Sequence, residues 1–165
     1  MIPVTDVIPT RTPPVMTVAL IAASVLLSSG YMMTGVTVLA VNMLYLWLFG
    51  RTVEDRLGHL RFAACYLSCA AAVWVTTRPA EAIAAGVSGV LGAYFALYPK
   101  SSLLVLVPLP LMVIEVPAVV FLGLWALLQL VVSAVWPELA SFVAGAVGSI
   151  LLRRPERIRV EWWSP

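Results

Sequence analysis

The sequence predicts an all-α integral membrane protein, a bundle of six transmembrane helices with both termini in the cytosol. Of its 165 residues, 62% are hydrophobic and 11% are charged, whereas soluble domains carry about a quarter charged residues. The mean hydropathy is +1.01. Residues 12–50 contain no charged side chain, and a single helix of that length would be about twice as long as a hydrocarbon core is thick. The composition therefore favours one membrane-embedded domain with little mass outside the bilayer.

Breaks between the apolar segments divide the chain into six predicted helices. A turn at 28–35 splits the uncharged first segment, and a charged cluster at 51–61 ends the second helix. A polar break at 76–81 separates the third helix from the fourth, which ends at Pro99-Lys100. The predicted helices are 15–29, 36–49, 62–75, 82–98, 116–135 and 139–152.

The stretch 101–114 is apolar but contains prolines at 108 and 110. We interpret it as interfacial or partly re-entrant, because proline interrupts a helix. The chain then divides into three parts: a cytosolic N-terminal arm at 1–14, a six-helix membrane domain at 15–152, and a cytosolic tail at 153–165.

The basic residues predict the orientation of the helices. With six spans and a cytosolic N-terminus, nine of the ten basic residues fall in cytosolic segments and Arg78 alone falls outside, which agrees with the positive-inside rule. The nine are Arg11, Arg51, Arg56, Arg61, Lys100, Arg153, Arg154, Arg157 and Arg159. We expect a multi-pass protein of a bacterial or archaeal cytoplasmic (inner) membrane.

The C-terminal tail combines cationic and aromatic side chains. These are Arg153, Arg154, Arg157, Arg159, Trp162 and Trp163. Arginines beside a membrane attract anionic headgroups, and tryptophan favours the interface. We expect the tail to contact membrane lipids, with docking of a cytosolic protein as the alternative. Nucleic acid is not expected as a partner.

Small residues recur at helical spacing on the fourth and sixth helices. The candidates for helix packing are Gly86, Gly89, Gly92, Ser141, Gly145 and Gly148. Lipid provides no hydrophobic drive between helices, so helices associate through close approach over small residues. We expect helices four and six to touch. The two cysteines, Cys65 and Cys69, are interpreted as packing residues, and no metal or cofactor is expected.

A series of segments, in order along the chain, resembles the rhomboid family of intramembrane serine proteases. The segment NMLYLWLFGRTVEDRLGHLRFAACYL resembles helix two, the following loop and helix three of that family. The segment GVLGAYFALYP resembles helix four. The later segments are VPLPLMVIEVPAVVFLGLWALLQL, similar to the loop and helix five, and SFVAGAVGSILL, similar to helix six. The resemblance covers nearly the whole chain, but the long first loop of the family is much shortened.

The resemblance assigns the active-site positions of the family to residues of this chain. Rhomboids carry a GxSG serine on helix four, and matching GVLGAY at 89–94 places that position at Ala84. The partner histidine on helix six corresponds to Glu138. The HxxxN motif of helix two corresponds to Val38 and Asn42. The serine and both histidines are therefore replaced, and Asn42 is an oxyanion-site remnant that is expected to make polar contacts between helices.

A literal GxSG match leaves an alternative nucleophile. Residues 86–89 read GVSG, which makes Ser88 the candidate, one helical turn from Ala84. Serine needs an adjacent base to attack at neutral pH, but His59, the only histidine, lies in the charged loop. We interpret Ser88 as a packing residue or as a donor to a helix carbonyl.

The resemblance and these replacements together predict a pseudoprotease. Such a protein would bind transmembrane segments of partner proteins and affect their stability or assembly without hydrolysing peptides. Two alternatives stay open: an active intramembrane serine protease with its nucleophile at Ser88, and a structural subunit of a larger membrane complex. The loop VEDRLGH, which ends at His59, is expected to act in capping or ion pairing.

Overall fold

The computed structural model of the protein describes residues 2–6, 12–28, 36–74, 79–107, 112–132 and 136–152. Within these ranges the six predicted helices are confirmed, and three short strands accompany them. In chain order the elements are β1 (Ile2–Asp6), α1 (Val15–Ser28), α2 (Val36–Leu57), α3 (His59–Trp74), α4 (Pro79–Leu97), β2 (Ser102–Val107), β3 (Met112–Pro117), α5 (Ala118–Val132) and α6 (Trp136–Leu152).

The strands form an antiparallel sheet that the predicted all-α fold does not include. The order is β1-β2-β3, and Ser102 pairs with Pro117 across the β2–β3 hairpin. The stretch interpreted as interfacial or re-entrant is therefore largely a hairpin, and the N-terminal arm supplies its third strand. A continuous apolar run has no strand period of its own, which is why the sequence did not reveal the hairpin. The depth of this segment in the membrane stays a prediction.

Helix α2 is longer than predicted because its charged residues continue the helix to Leu57. Gly58 ends it with a left-handed φ of 85°, the conformation that favours glycine after a helix. The N–H of Gly58 donates to the carbonyl of Glu54 at 2.7 Å, and α3 begins at the next residue. The charged cluster is thus mostly helical, and it holds the junction between α2 and α3.

Helix α4 is the centre of the bundle. It packs against α6, α3 and α2, and no large hydrophobic side chain among its described residues is exposed. The buried rings of Phe49 and Tyr94 meet edge to face with centroids 4.9 Å apart. The other five helices all expose large apolar side chains, the kind of surface that marks contact with a membrane or a partner.

The predicted contact between the fourth and sixth helices is present, and it is a backbone contact. A Cβ added at Gly92 would lie 1.8 Å from the carbonyl oxygen of Phe142, and one at Gly145 would lie 1.9 Å from that of Gly89. Both distances are far shorter than van der Waals contact. The two helices therefore reach this separation only with glycine at both positions.

The other glycines of the predicted packing set have an atom of α3 as their nearest neighbour, although Gly89 also contacts α6. A Cβ at Gly86 would lie 2.7 Å from the ring of Tyr66, and one at Gly89 would lie 2.6 Å from Sγ of Cys69. At Gly148 the nearest atom, Sγ of Cys65, would be 4.0 Å away. Gly148 therefore leaves room for a side chain, whereas Gly86 and Gly89 fit α4 against α3.

Length and hydropathy identify one helix among the described residues, α2, that could cross a membrane. Four shorter apolar helices accompany it, at Val15–Leu27, Glu81–Leu97, Ala118–Gln129 and Trp136–Leu152. Six membrane spans with cytosolic termini stay a prediction.

Replacing Gly145 by alanine tests the backbone contact. The added methyl must push α6 away from α4, so we expect Gly145→Ala to lower the free energy of unfolding by about 1–3 kcal/mol. The matched control is Gly123→Ala on α5, because nothing lies within 4 Å of a Cβ there. Thermal unfolding in detergent, followed by circular dichroism, compares the two variants. Equal stability of both would contradict the close packing of α4 on α6.

Candidate functional site

The two candidate nucleophile positions lie one turn apart on α4 and are joined by a hydrogen bond. Ser88 is 3% exposed, and its hydroxyl donates to the carbonyl oxygen of Ala84 at 2.9 Å. This is the carbonyl contact expected of a serine inside a helix. Ala84 itself presents only a methyl group, so the hydroxyl of Ser88 is bonded to its own helix.

Glu138 lies in the first turn of α6, where the resemblance places the family's histidine. Its Oε2 is buried and has no hydrogen-bond partner among the described residues. The nearby charge of Glu81, in the first turn of α4, repels it. The first turns of α4 and α6 therefore lie at the same end of the bundle.

The positions of the family's HxxxN motif lie near the start of α2. Val38 is exposed and Asn42 is partly exposed. Within the described ranges Asn42 makes no hydrogen bond, so the interhelix contact expected of it is not found there.

A second polar cluster, which we call the clasp, consists of Glu54, Asp55, His59 and Arg61. Glu54 lies in α2, and its side chain is fully buried. Its carboxylate accepts hydrogen bonds from the backbone N–H of Met16 at 2.9 Å and from that of Thr17 at 2.8 Å. The Thr17 hydroxyl donates to it at 2.6 Å. Glu54 is therefore the N-terminal cap of α1, supplied by another helix.

This cap has a clear reason in the sequence of α1. The first turn of α1 carries no acidic residue, and prolines precede it at 13 and 14. The first N–H groups of a helix lack partners within the helix and attract negative charge. The Glu54 carboxylate supplies both the hydrogen-bond acceptors and the negative charge. Such charge-assisted bonds are stronger than neutral ones.

The other residues of the clasp form hydrogen bonds that join the start of α3, the segment before α1 and the end of α6. Nδ1 of His59 donates to Oε1 of Glu54 at 2.5 Å. Asp55 accepts from the N–H and the hydroxyl of Thr12, at 2.9 and 2.6 Å. Arg61 donates to the carbonyl of Leu152, the last residue of α6, at 2.9 Å, where a cation also suits the helix dipole. The capping and pairing roles expected of this loop are present.

Comparison with known families identifies the fold. The family model described as the Rhomboid domain matches residues 18–155. The chain belongs to the rhomboid family. Comparison with curated proteins and with solved structures gave no significant match.

Membership of the rhomboid family makes this an integral membrane protein. The structure brings Ala84 and Ser88 together on α4 and sets Glu138 beside the start of that helix. It keeps His59 apart, bound to Glu54 within the clasp. The tail arginines and tryptophans lie outside the described residues.

Sequence reasoning did not single out Glu54, the most heavily bonded acidic side chain among the described residues. One signal was available, because a helix that starts after two prolines without an acidic or capping residue needs an acceptor from elsewhere. The identity of that acceptor depends on how α1 packs on α2.

Replacing Glu54 by glutamine tests the clasp. Glutamine keeps the shape of the side chain but loses its charge and turns an amide donor towards the N–H groups of α1. We expect Glu54→Gln to lower the free energy of unfolding by about 2–3 kcal/mol. The control is Asp55→Asn, since Asp55 is partly exposed and we expect a loss below about 1 kcal/mol. Chemical unfolding in detergent measures both, and a smaller effect at Glu54 than at Asp55 would disprove the capping role.

Proposed function

We propose that this member of the rhomboid family binds transmembrane helices of other membrane proteins, and affects their stability or assembly, without cleaving them. The observation that carries the proposal is the nucleophile position on α4. Ala84 has no hydroxyl there, and the hydroxyl of the neighbouring Ser88 donates a hydrogen bond to the Ala84 carbonyl. A serine protease needs a serine and a base in hydrogen-bond contact.

The chain's single histidine supports the same proposal. His59 is held by Glu54 in the clasp. By the resemblance, Glu138 takes the family's histidine position. Its Oε2 has no hydrogen-bond partner among the described residues, so it is not bonded to Ser88, whose hydroxyl contacts Ala84.

A binding surface for a client helix is proposed between α2 and α5. Among the described residues α5 packs lightly, against α4, α6 and β3, and it makes no extensive contact with α2. Its outward side chains, such as Leu124 and Leu128, are exposed and apolar, as are Val38 and Val41 on α2. A helix lying here would bury both faces and would meet the amide of Asn42.

The orientation belongs to this proposal as well. We place both termini in the cytoplasm, with six spans in the cytoplasmic membrane of a bacterium or archaeon. The clasp end of the bundle would then face the cytoplasm, and its basic side chains would follow the positive-inside rule. The tail arginines and tryptophans would bind lipids at the same surface.

A fluorophosphonate probe tests the absence of an active serine. We expect no specific labelling of the wild-type protein in membranes, with an active rhomboid protease as the positive control. Labelling of the wild type that disappears in Ser88→Ala would overturn the pseudoprotease assignment and establish a protease with its nucleophile at Ser88.

Photocrosslinking tests the client surface. A photoreactive amino acid at Leu124 on α5, 57% exposed, is compared with one at Leu67 on α3, 54% exposed. The two sites are equally accessible to lipid, so a difference between them reports a bound protein. Because Leu124 lies on the proposed surface, we expect several-fold more protein crosslinks there, identified by mass spectrometry. Equal crosslinking at both sites would contradict the surface. A single partner at fixed stoichiometry after mild purification would favour a structural subunit instead.

A further inference from the structure

Arg51 of α2 carries a charge that the described part of the protein does not compensate. Its side chain is partly buried, and its Nε has no exposed surface and no hydrogen-bond partner among the described residues. A polar group that is closed off from water without a partner is costly, and more so when it is charged. An anion at the exposed part of this guanidinium would lower that cost.

The two acidic residues nearest to Arg51 along α2 are bonded elsewhere. Glu54 and Asp55 follow it by three and four residues, the spacing at which side chains of a helix are neighbours. The Glu54 carboxylate accepts hydrogen bonds from α1 and from His59, and Asp55 accepts from Thr12. Within the described ranges neither carboxylate forms an ion pair with Arg51. Arg51 is therefore a cation beside the clasp that takes no part in it.

The clasp end of the bundle is also where the described basic residues lie. Helix α6 ends there, because Arg61 binds the Leu152 carbonyl, and α4 ends there with its Tyr94 ring against Phe49 of α2. The first turns of α4 and α6, which are acidic, lie at the opposite end. A basic surface attracts anions, and anionic headgroups border a membrane domain. The described basic residues at the clasp end are Arg51, Arg56, Arg61 and Lys100.

The position of Arg51 along α2 corresponds to the interface of a bilayer. Among the described residues α2 is the helix that is long and apolar enough to cross a membrane. Arg51 is its first charged residue and lies six residues before its end at Leu57, which is about 9 Å along the axis. The uncharged part of α2 is therefore on one side of Arg51 and the charged cluster is on the other.

The face of α2 that carries Arg51 is otherwise apolar. Trp47 precedes Arg51 by four residues and Leu44 by seven, so the three side chains share one face of the helix. Both apolar side chains are exposed, and tryptophan favours the boundary between acyl chains and headgroups. This order fits a phospholipid that lies along α2, with its acyl chains beside Leu44 and Trp47 and its phosphate at Arg51. A free phosphate ion would use only the guanidinium.

We propose that Arg51 binds the phosphate of an anionic phospholipid at the clasp end of α2, with Leu44 and Trp47 contacting its acyl chains. A guanidinium suits this role because its planar N–H groups can hold two phosphate oxygens at once. The bound lipid lies next to the junction of α1 and α2. This site is separate from the C-terminal tail, and it does not depend on the proposed client surface.

Lipid titration of the full-length protein in detergent tests the site. Short-chain phosphatidylglycerol is compared with phosphatidylcholine of the same chain length, and native mass spectrometry counts the bound lipids. We expect the wild type to bind phosphatidylglycerol about tenfold more tightly, and Arg51→Gln to lose that preference. The matched control is Lys100→Gln, which removes an exposed cation from the same end and should keep the preference.

Three results of the titration would overturn the proposal. Equal affinity of the wild type for the two lipids would show that Arg51 selects no anionic headgroup. Equal loss of preference in Arg51→Gln and Lys100→Gln would show a general effect of charge. Displacement of phosphatidylglycerol by an equal concentration of inorganic phosphate would assign the site to a free anion.

Thermal unfolding of Arg51→Gln without lipid separates binding from folding. Because no described group bonds to Arg51, we expect the Tm of the delipidated variant to stay within about 2 °C of the wild type. Saturating phosphatidylglycerol should then raise the Tm of the wild type more than that of the variant, since a ligand stabilises the state that binds it. A clearly lower Tm of the delipidated variant would show that Arg51 bonds within the protein, and would refute the lipid site.

Discussion

The buried carboxylate of Glu54 is the interaction on which the arrangement of the helix ends depends. A charge with no exposed surface is costly unless donors surround it, and four hydrogen bonds from α1 and His59 do so. The same bonds cap a helix that begins after two prolines. Since α2, α1 and α3 meet there, the clasp fixes where α1 starts against α2. Arg61, near the start of α3, connects this cluster to the end of α6 by its hydrogen bond to the Leu152 carbonyl.

The bundle combines a tightly packed centre with a lightly packed side. Gly92 and Gly145 bring α4 and α6 into backbone contact, while Gly86 and Gly89 fit α4 against α3. Helix α5 contributes less to the core, although Trp125 packs on Phe142 with ring centroids 5.9 Å apart. A rigid centre beside a weakly attached helix suits the proposed function, because a client helix could replace lipid next to α5 without disturbing α4.

Parts of the candidate site were predictable because their causes are local. A serine inside a helix readily donates to the carbonyl four residues earlier, and Ser88 does so. The loop around His59 was expected to cap or pair, and it does. The hydrogen bond expected of Asn42 is not found among the described residues, and the central role of Glu54 was missed. The contacts of Asn42 and of Glu54 depend on which groups tertiary packing places next to them. Residue type alone does not determine those neighbours.

The sequence by itself determined the six helices and the family, because these follow from apolar length, local breaks and motif order. The replacement of the serine and histidine positions stays a prediction of the resemblance. Only the tertiary structure decided the sheet, whose first strand lies about a hundred residues before its partner, and the trans cap of α1 by Glu54. It also showed that Gly92 meets α6, that Gly86 meets α3, and that Gly89 meets both. Helical spacing shows that small residues share a face, but the neighbour of that face is set by packing across the whole bundle.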